Sequence, residues 1–154
     1  MENQDKQLEM FSEDKEEQEN LEEAVQKKKE DVIITERGEE FSKEEWAQEV
    51  VPKGPTRQEV EEWKDKYGNI YFVPFDSDIY MFRQLNRAEY REVALNQDYT
   101  AFDKEEIITD KCVIFPRNFS VSKLTKGNAG LPTVLNEMIM SKSGFFAQSA
   151  PIQL

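Results

Sequence analysis

The sequence predicts an α+β fold, mostly helical: a short aromatic β-hairpin packed with three or four short helices, preceded by a disordered acidic arm. Three observations carry this expectation. Charge is split unevenly along the 154 residues. Residues 1–50 hold 18 acidic and 7 basic side chains, a net of −11, whereas 51–154 hold 14 and 13, a net of −1. In the second part, apolar residues recur at helical spacing in several short stretches, each with its own start and stop signals. One stretch, "NIYFVPFDSDIYMFRQL", instead gathers aromatic and β-branched residues around a polar turn. The expected organisation is an acidic, largely disordered arm over 1–52, a compact α+β domain over 53–146 and a C-terminal tail over 147–154.

The arm comes first. Between Met1 and Lys29 its apolar side chains are Met1, Leu8, Met10, Phe11, Leu21, Ala24 and Val25. Burying so few cannot offset an ordering cost of roughly 1–2 kcal/mol per residue. Leu21 and Val25 form one i,i+4 apolar pair, enough for transient helix. "DVIITERGEEF" has strand character if a partner supplies an edge. In "FSKEEWAQEV", Ser42 followed by Glu45 is a capping-box pattern, with Phe41, Trp46 and Val50 as anchors of a short helix. Pro52, Gly54 and Pro55 then break any regular element and mark the boundary.

The domain elements follow in order. Thr56 and Glu59 suggest a capped helix whose apolar face is Val60, Trp63 and Tyr67, ending at Gly68. Next comes the hairpin, with Asp76 to Asp78 as its turn and Pro74 confining the first strand to an edge or an early end. Asn86 and Glu89 cap the helix in "LNRAEYREVAL", and Leu85 with Tyr90 fits a hydrophobic staple. Asp103 with Glu106 is the expected cap of the next helix. Its apolar strip runs through Ile107, Ile108, Cys112 and Phe115 until Pro116 stops it. The last helix starts near Pro132, whose missing N–H costs nothing in a first turn, and stops at Ser143-Gly144. Leu135 and Ile139, one turn apart, are expected in the core. Met138 and Met140 point to different faces, and Phe145 or Phe146 can fold back on the last turn. Met140, off the Leu135–Ile139 line, and Phe145, after the helix stop, are the candidates for the exposed contact set.

The chemistry is defined by what the residues do not assemble. There is no histidine, and the single cysteine, Cys112, has no residue to activate it. No glycines fall at phosphate-loop spacing, and no Cys/His set fits a metal. Asp76 and Asp78 are two carboxylates in a turn, far fewer oxygens than Ca²⁺ takes. The expectation is therefore a protein that is not an enzyme, with no catalytic, cofactor or metal site. An overall charge of −12 argues against nucleic-acid binding and against docking on an anionic membrane. No apolar run reaches membrane-spanning length, and the N-terminus lacks a signal peptide's pattern. Protein partners remain. The candidate contact residues are Met138, Met140, Phe145 and Phe146, with Trp46 and Phe41 in the arm.

Three blocks of the C-terminal half carry a resemblance. They are "MFRQLNRAEYREV", "DKEEIITDKCVIFP" and "AGLPTVLNEMIMSKSGF". Together they resemble a group of small tailed-bacteriophage proteins of the tail-assembly chaperone and baseplate-hub-assembly kind. Arg87, Glu89 and Tyr90 fit that group's first block, and Glu106, Cys112, Val113, Phe115 and Pro116 its second. Ala129, Gly130, Leu131, Pro132, Leu135, Glu137, Ile139, Ser143, Gly144 and Phe145 fit the third. The match spans Ile79–Phe146, outside the acidic arm, and its motifs are structural punctuation.

The resemblance implies a non-enzymatic role in building a phage tail: a chaperone that shields the apolar stripe of the tape-measure protein until tube subunits polymerise around it. Implied partners are tape-measure, tube or baseplate subunits; self-association is compatible with this role. The implied location is the host cytoplasm during assembly, with the virion as the other possibility. A strongly acidic arm would keep a crowded assembly in solution. One rival is a resident structural protein of the baseplate or neck. The other is an acidic decoy that inhibits a host nucleic-acid-binding protein, which requires a rigid, folded arm.

Overall fold

The computed structural model describes residues 32–124, 126–147 and 149–153. It is α+β, with five α-helices and two small antiparallel sheets among those residues. The expected arm over 1–31 lies outside the described residues. The described residues divide into two compact units: 32–48 with Thr56–Gln58, and Glu49–Pro55 with the described residues of 59–153.

In the first unit, β1 (Val32–Ile34) pairs with β2 (Glu40–Ser42), with Ile33 opposite Phe41. The intervening loop closes through Thr35, whose N–H reaches the Glu39 carbonyl at 2.9 Å and whose hydroxyl accepts the Glu39 N–H at 3.1 Å. Helix α1 (Lys43–Ala47) starts with the expected capping box. The Ser42 hydroxyl accepts the Glu45 N–H at 3.1 Å, and the Glu45 carboxylate accepts the Ser42 N–H at 2.9 Å. Those two bonds to Ser42, with a smaller contribution from the Arg57 guanidinium, hold the Glu45 carboxyl below its ordinary range. The expectation of a disordered arm reaching residue 52 is therefore corrected for 32–48. The "DVIITERGEEF" strand finds its edge eight residues downstream in its own chain, so no partner is needed to satisfy it.

The Pro-Gly cluster is also not a bare linker. It is a folded turn of the second unit. Val50 donates to the Pro55 carbonyl and Gly54 to that of Val51, each at 2.9 Å, and Pro55 is buried. A Cβ at residue 54 would lie 2.5 Å from Val51 Cγ2 and 3.3 Å from Ile79 Cδ1, so glycine permits this close approach.

The second unit is built on a three-stranded sheet in the order β3 (Ile70–Phe75), β4 (Asp78–Arg83), β5 (Val113–Phe115). Helix α2 (Arg57–Tyr67) precedes it and ends at Gly68, whose φ of +83° needs no Cβ. Glu61 on α2 is buried and accepts from Lys64 Nζ at 2.7 Å. Strands β3 and β4 join through a two-residue turn, and β3 is an edge, where Pro74 has no ladder bond to lose.

Helices α3 (Arg87–Leu95), α4 (Ala101–Cys112) and α5 (Leu131–Lys142) supply the rest. The core joins Val73, Tyr80 and Phe82 of the sheet to Val93, Ile108 and Cys112 of α3 and α4 and to Leu131, Leu135 and Ile139 of α5. Leu135 and Ile139 are fully buried, as the one-turn spacing predicts.

The cap of α3 is the expected one: Asn86 Oδ1 accepts the Glu89 N–H at 2.9 Å, and Glu89 returns the bond at 3.1 Å. Two expectations for α4 are corrected. Its cap is Thr100, boxed with Asp103, rather than Asp103 with Glu106. The helix also ends at Cys112, and Val113–Phe115 becomes β5, pairing with β4. Val-Ile-Phe suits a pleated surface, β4 has an edge to offer, and Pro116 biases Phe115 toward extended backbone.

Candidate functional site

The second unit is stitched at two places that set its surfaces. The Arg83 guanidinium forks onto the Glu89 carboxylate at 2.9 and 2.7 Å and stacks 5.1 Å from the Tyr67 ring centroid. This ties β4 to α3. It also holds the Glu89 carboxyl below its ordinary range, with the Arg83 bond as the largest cause. The end of α5 is fastened to the β4–α3 connection: Gln84 Nε2 donates to the Lys142 carbonyl at 2.6 Å, and Leu85 N–H to Ser143 Oγ at 2.9 Å.

With that frame, the sequence-derived contact residues separate. Met138 is exposed, and so is Phe146, at 54%. Met140 and Phe145 are not an exposed pair; both pack against the core, and the Phe145 ring lies 4.5 Å from that of Tyr90. The reason is the helix stop. Gly144 turns left-handed at φ +84°, and Phe145 N–H folds back to the Met140 carbonyl at 3.1 Å, which swings the ring inward. Phe41 and Trp46 belong to the first unit and pack on each other with centroids 5.8 Å apart. The four residues of the second unit thus form no single exposed surface.

Two grooves and one apolar corner stand out instead. The first groove, about 400 Å³, runs along the edge strand β3 beside α5 and is lined by Tyr71, Phe72, Val73, Pro74, Met138 and Lys142 among others. Phe72 on this edge is 46% exposed. The second, about 410 Å³, lies among α3, α4 and α5 and includes Val93, Ile108, Lys104 and Asn136. Asn136 Oδ1 is buried with no hydrogen-bond partner among the described residues. The α3–α4 connection exposes Leu95 at 69%, Phe102 at 76% and Tyr99, three large apolar side chains within eight residues. Sequence reasoning missed Phe72, Leu95 and Phe102. A signal existed for Phe72, since period-two alternation sets it opposite Tyr71 and Val73. Leu95 and Phe102 lie at helix ends, where spacing does not decide which side faces solvent.

Chemically active groups are sparse. Burial pushes the Cys112 thiol up to about 12, so it stays protonated at neutral pH, as a buried packing residue does. Among the described residues, no three His, Cys, Asp or Glu side chains gather as a metal site, and no helix is long and apolar enough to cross a membrane. No protein-family model, curated protein or solved structure matches this chain.

Proposed function

We propose that this chain is a non-enzymatic protein-binding factor of phage tail assembly, a chaperone that captures an apolar segment of the tape-measure protein. The observation that carries the reading is the α3–α4 corner. Leu95 and Phe102 are each more than two-thirds exposed, and Tyr99 between them in sequence is exposed as well. Apolar side chains clustered on a surface mark interaction sites, because leaving them in water has a standing cost that only a partner removes. The second groove beside them offers apolar walls with Lys104, Glu105 and Asn136 as polar points for register. The resemblance of the Ile79–Phe146 blocks to tail-assembly proteins supplies the identity of the partner.

The test is co-expression with the tape-measure protein of the same phage, followed by co-purification. The Leu95→Ser, Phe102→Ser double variant should retain the melting temperature of the parent and lose the partner. Retained capture would remove the corner from the proposal. Mass spectrometry of purified virions separates the two assembly roles: a chaperone is absent from them, whereas a resident baseplate or neck protein is present in stoichiometric amount.

A further inference from the structure

We propose that the free edge of β3 pairs antiparallel with β3 of a second copy, joining two three-stranded sheets into one of six strands across a two-fold axis. The inference is independent of the tape-measure reading and uses a different face of the second unit.

The edge itself is the first argument. β3 is the outermost strand of its sheet: β4 pairs with one side of it, and no strand pairs with its outer side among the described residues. Native edges are usually blunted by charge, bulges or covering elements. β3 reads Ile70-Tyr71-Phe72-Val73-Pro74-Phe75, with no charged residue in it. Pro74 is its single protective feature.

Register shows which backbone groups are available. Phe75 and Asp78 close the two-residue turn, where Asp76 has a φ of +53°. A pair that closes such a turn exchanges both of its hydrogen bonds, and alternate pairs up the ladder do the same. Those pairs are Val73 with Tyr80 and Tyr71 with Phe82. The N–H and C=O groups of Ile70 and Phe72, and the C=O of Pro74, therefore face outward. Pro74 sits where a missing N–H costs the hairpin nothing.

Charge then chooses the occupant. At the Tyr71 end of the groove stands Lys142, its Nζ 5.4 Å from the Tyr71 ring centroid. At the other end stand the turn carboxylates Asp76 and Asp78. The edge is thus cationic at one end and anionic at the other. An antiparallel two-fold sets the turn acids of each copy toward Lys142 of its mate, so the surface is complementary to itself, as an isologous interface requires. A parallel pairing would set like charge on like.

With Phe72 on the axis, its N–H and C=O exchange bonds with Phe72 of the second copy. Each Ile70 N–H meets the Pro74 carbonyl of the other strand, and Tyr71 falls opposite Val73. The two grooves close on each other, and the exposed Phe72 rings meet across the axis. Because the symmetry closes, the edge is consumed in a dimer rather than extended into a fibre.

Sedimentation equilibrium of the full chain tests this. The expected mass is twice the 18.1 kDa of one chain. Phe72→Lys should be monomeric with an unchanged circular dichroism spectrum and a melting temperature that no longer rises with protein concentration, because two lysines would face each other across the axis. Lys142→Glu and Asp78→Lys should each weaken the dimer by about tenfold. The two together should restore it to within about threefold of the parent, since the attraction is re-formed with its signs exchanged. A monomeric parent, a Phe72→Lys dimer of parental affinity, or a double charge variant weaker than either single one would each overturn the proposal. A monomeric parent whose Phe72→Lys variant loses a co-purified protein would assign the edge to a different chain, and would also overturn self-pairing. The Leu95→Ser, Phe102→Ser variant should remain dimeric, so failure of the capture reading and failure of this one are told apart.

Discussion

Helices α1 and α5 reach order by different routes. α1 has five residues, none of them buried, and its start is fixed by hydrogen bonds between Ser42 and Glu45, three residues apart. α5 has twelve residues and starts at Gly130 without a side-chain cap. Leu131, Leu135 and Ile139 on α5 are buried against the sheet and the neighbouring helices. The first helix depends on local polar geometry and the second on burial of an apolar face. Helices of a few residues have little intrinsic stability in water, so α1 needs its cap, whereas α5 does without one because tertiary contact supplies more. The same contrast separates the two units: the first is held by a small sheet, a cap and one tilted aromatic pair, the second by a continuous core.

The contrast can be broken most forcefully at Leu135. Leu135→Ala should destabilise the second unit by about 2–5 kcal/mol, the cost of a cavity at a fully buried site. Chemical denaturation should show this as a lower midpoint, with the Phe41–Trp46 contact followed separately by the fluorescence of Trp46 in a Trp63→Phe background.

A smaller effect is expected at the Arg83–Glu89 fork. Glu89→Gln should cost about 1–3 kcal/mol at neutral pH, the range for losing a charge-assisted bond in a partly enclosed site. The pH dependence follows from the sign of the shift. The folded carboxyl lies below its ordinary value of 4.5, chiefly through Arg83. Its contribution is complete above the unfolded value and disappears as pH falls through the lower folded one. The parent should therefore lose its advantage over Glu89→Gln when urea midpoints are compared from pH 7 down through the acid range. A constant difference between the two would show that the fork acts by packing and not by charge.

Ser42→Ala should cost the first unit about 0.5–2 kcal/mol, because it removes a cap without touching a core. Amide exchange should quicken over 43–47 and stay unchanged in α5. Slower folding or faster exchange throughout both units would show that the cap supports more than its own helix. The smallest effect is at the corner: Leu95→Ser with Phe102→Ser should change the melting midpoint by no more than about 0.5 kcal/mol in stability, as exposed sites do.

The part of the fold that was legible depended on short-range chemistry. Ser42 with Glu45 and Asn86 with Glu89 form boxes whose partners all lie within one turn, so their residue types suffice to predict them. Pro74 left β3 two choices, an edge position or an early end, because a missing N–H excludes a central strand; the strand takes the edge and runs on to Phe75. The cap of α4 was harder: Thr100 and Asp103 are both capping residues at box spacing, and the pattern alone favours either. For the candidate site, the spacing showed that one of Met138 and Met140 should face outward but favoured Met140 with Phe145, whereas Met138 and Phe146 are the exposed ones and Met140 and Phe145 pack against the core. Their burial depends on how the chain folds back after Gly144.

By itself the sequence determined where most helices begin, that Leu135 and Ile139 share a buried face, and that the acidic excess lies in the first third. Each follows from interactions within a few residues or from composition. Only the tertiary structure decided that Val113–Phe115 leaves a helix to become a strand, that the Pro52–Pro55 turn packs against Ile79, and that Phe72, Leu95 and Phe102 face outward. These outcomes depend on which distant surface is available to pair with or cover a residue. Propensity and periodicity describe a segment's faces, but a face is buried only when another part of the chain arrives to cover it.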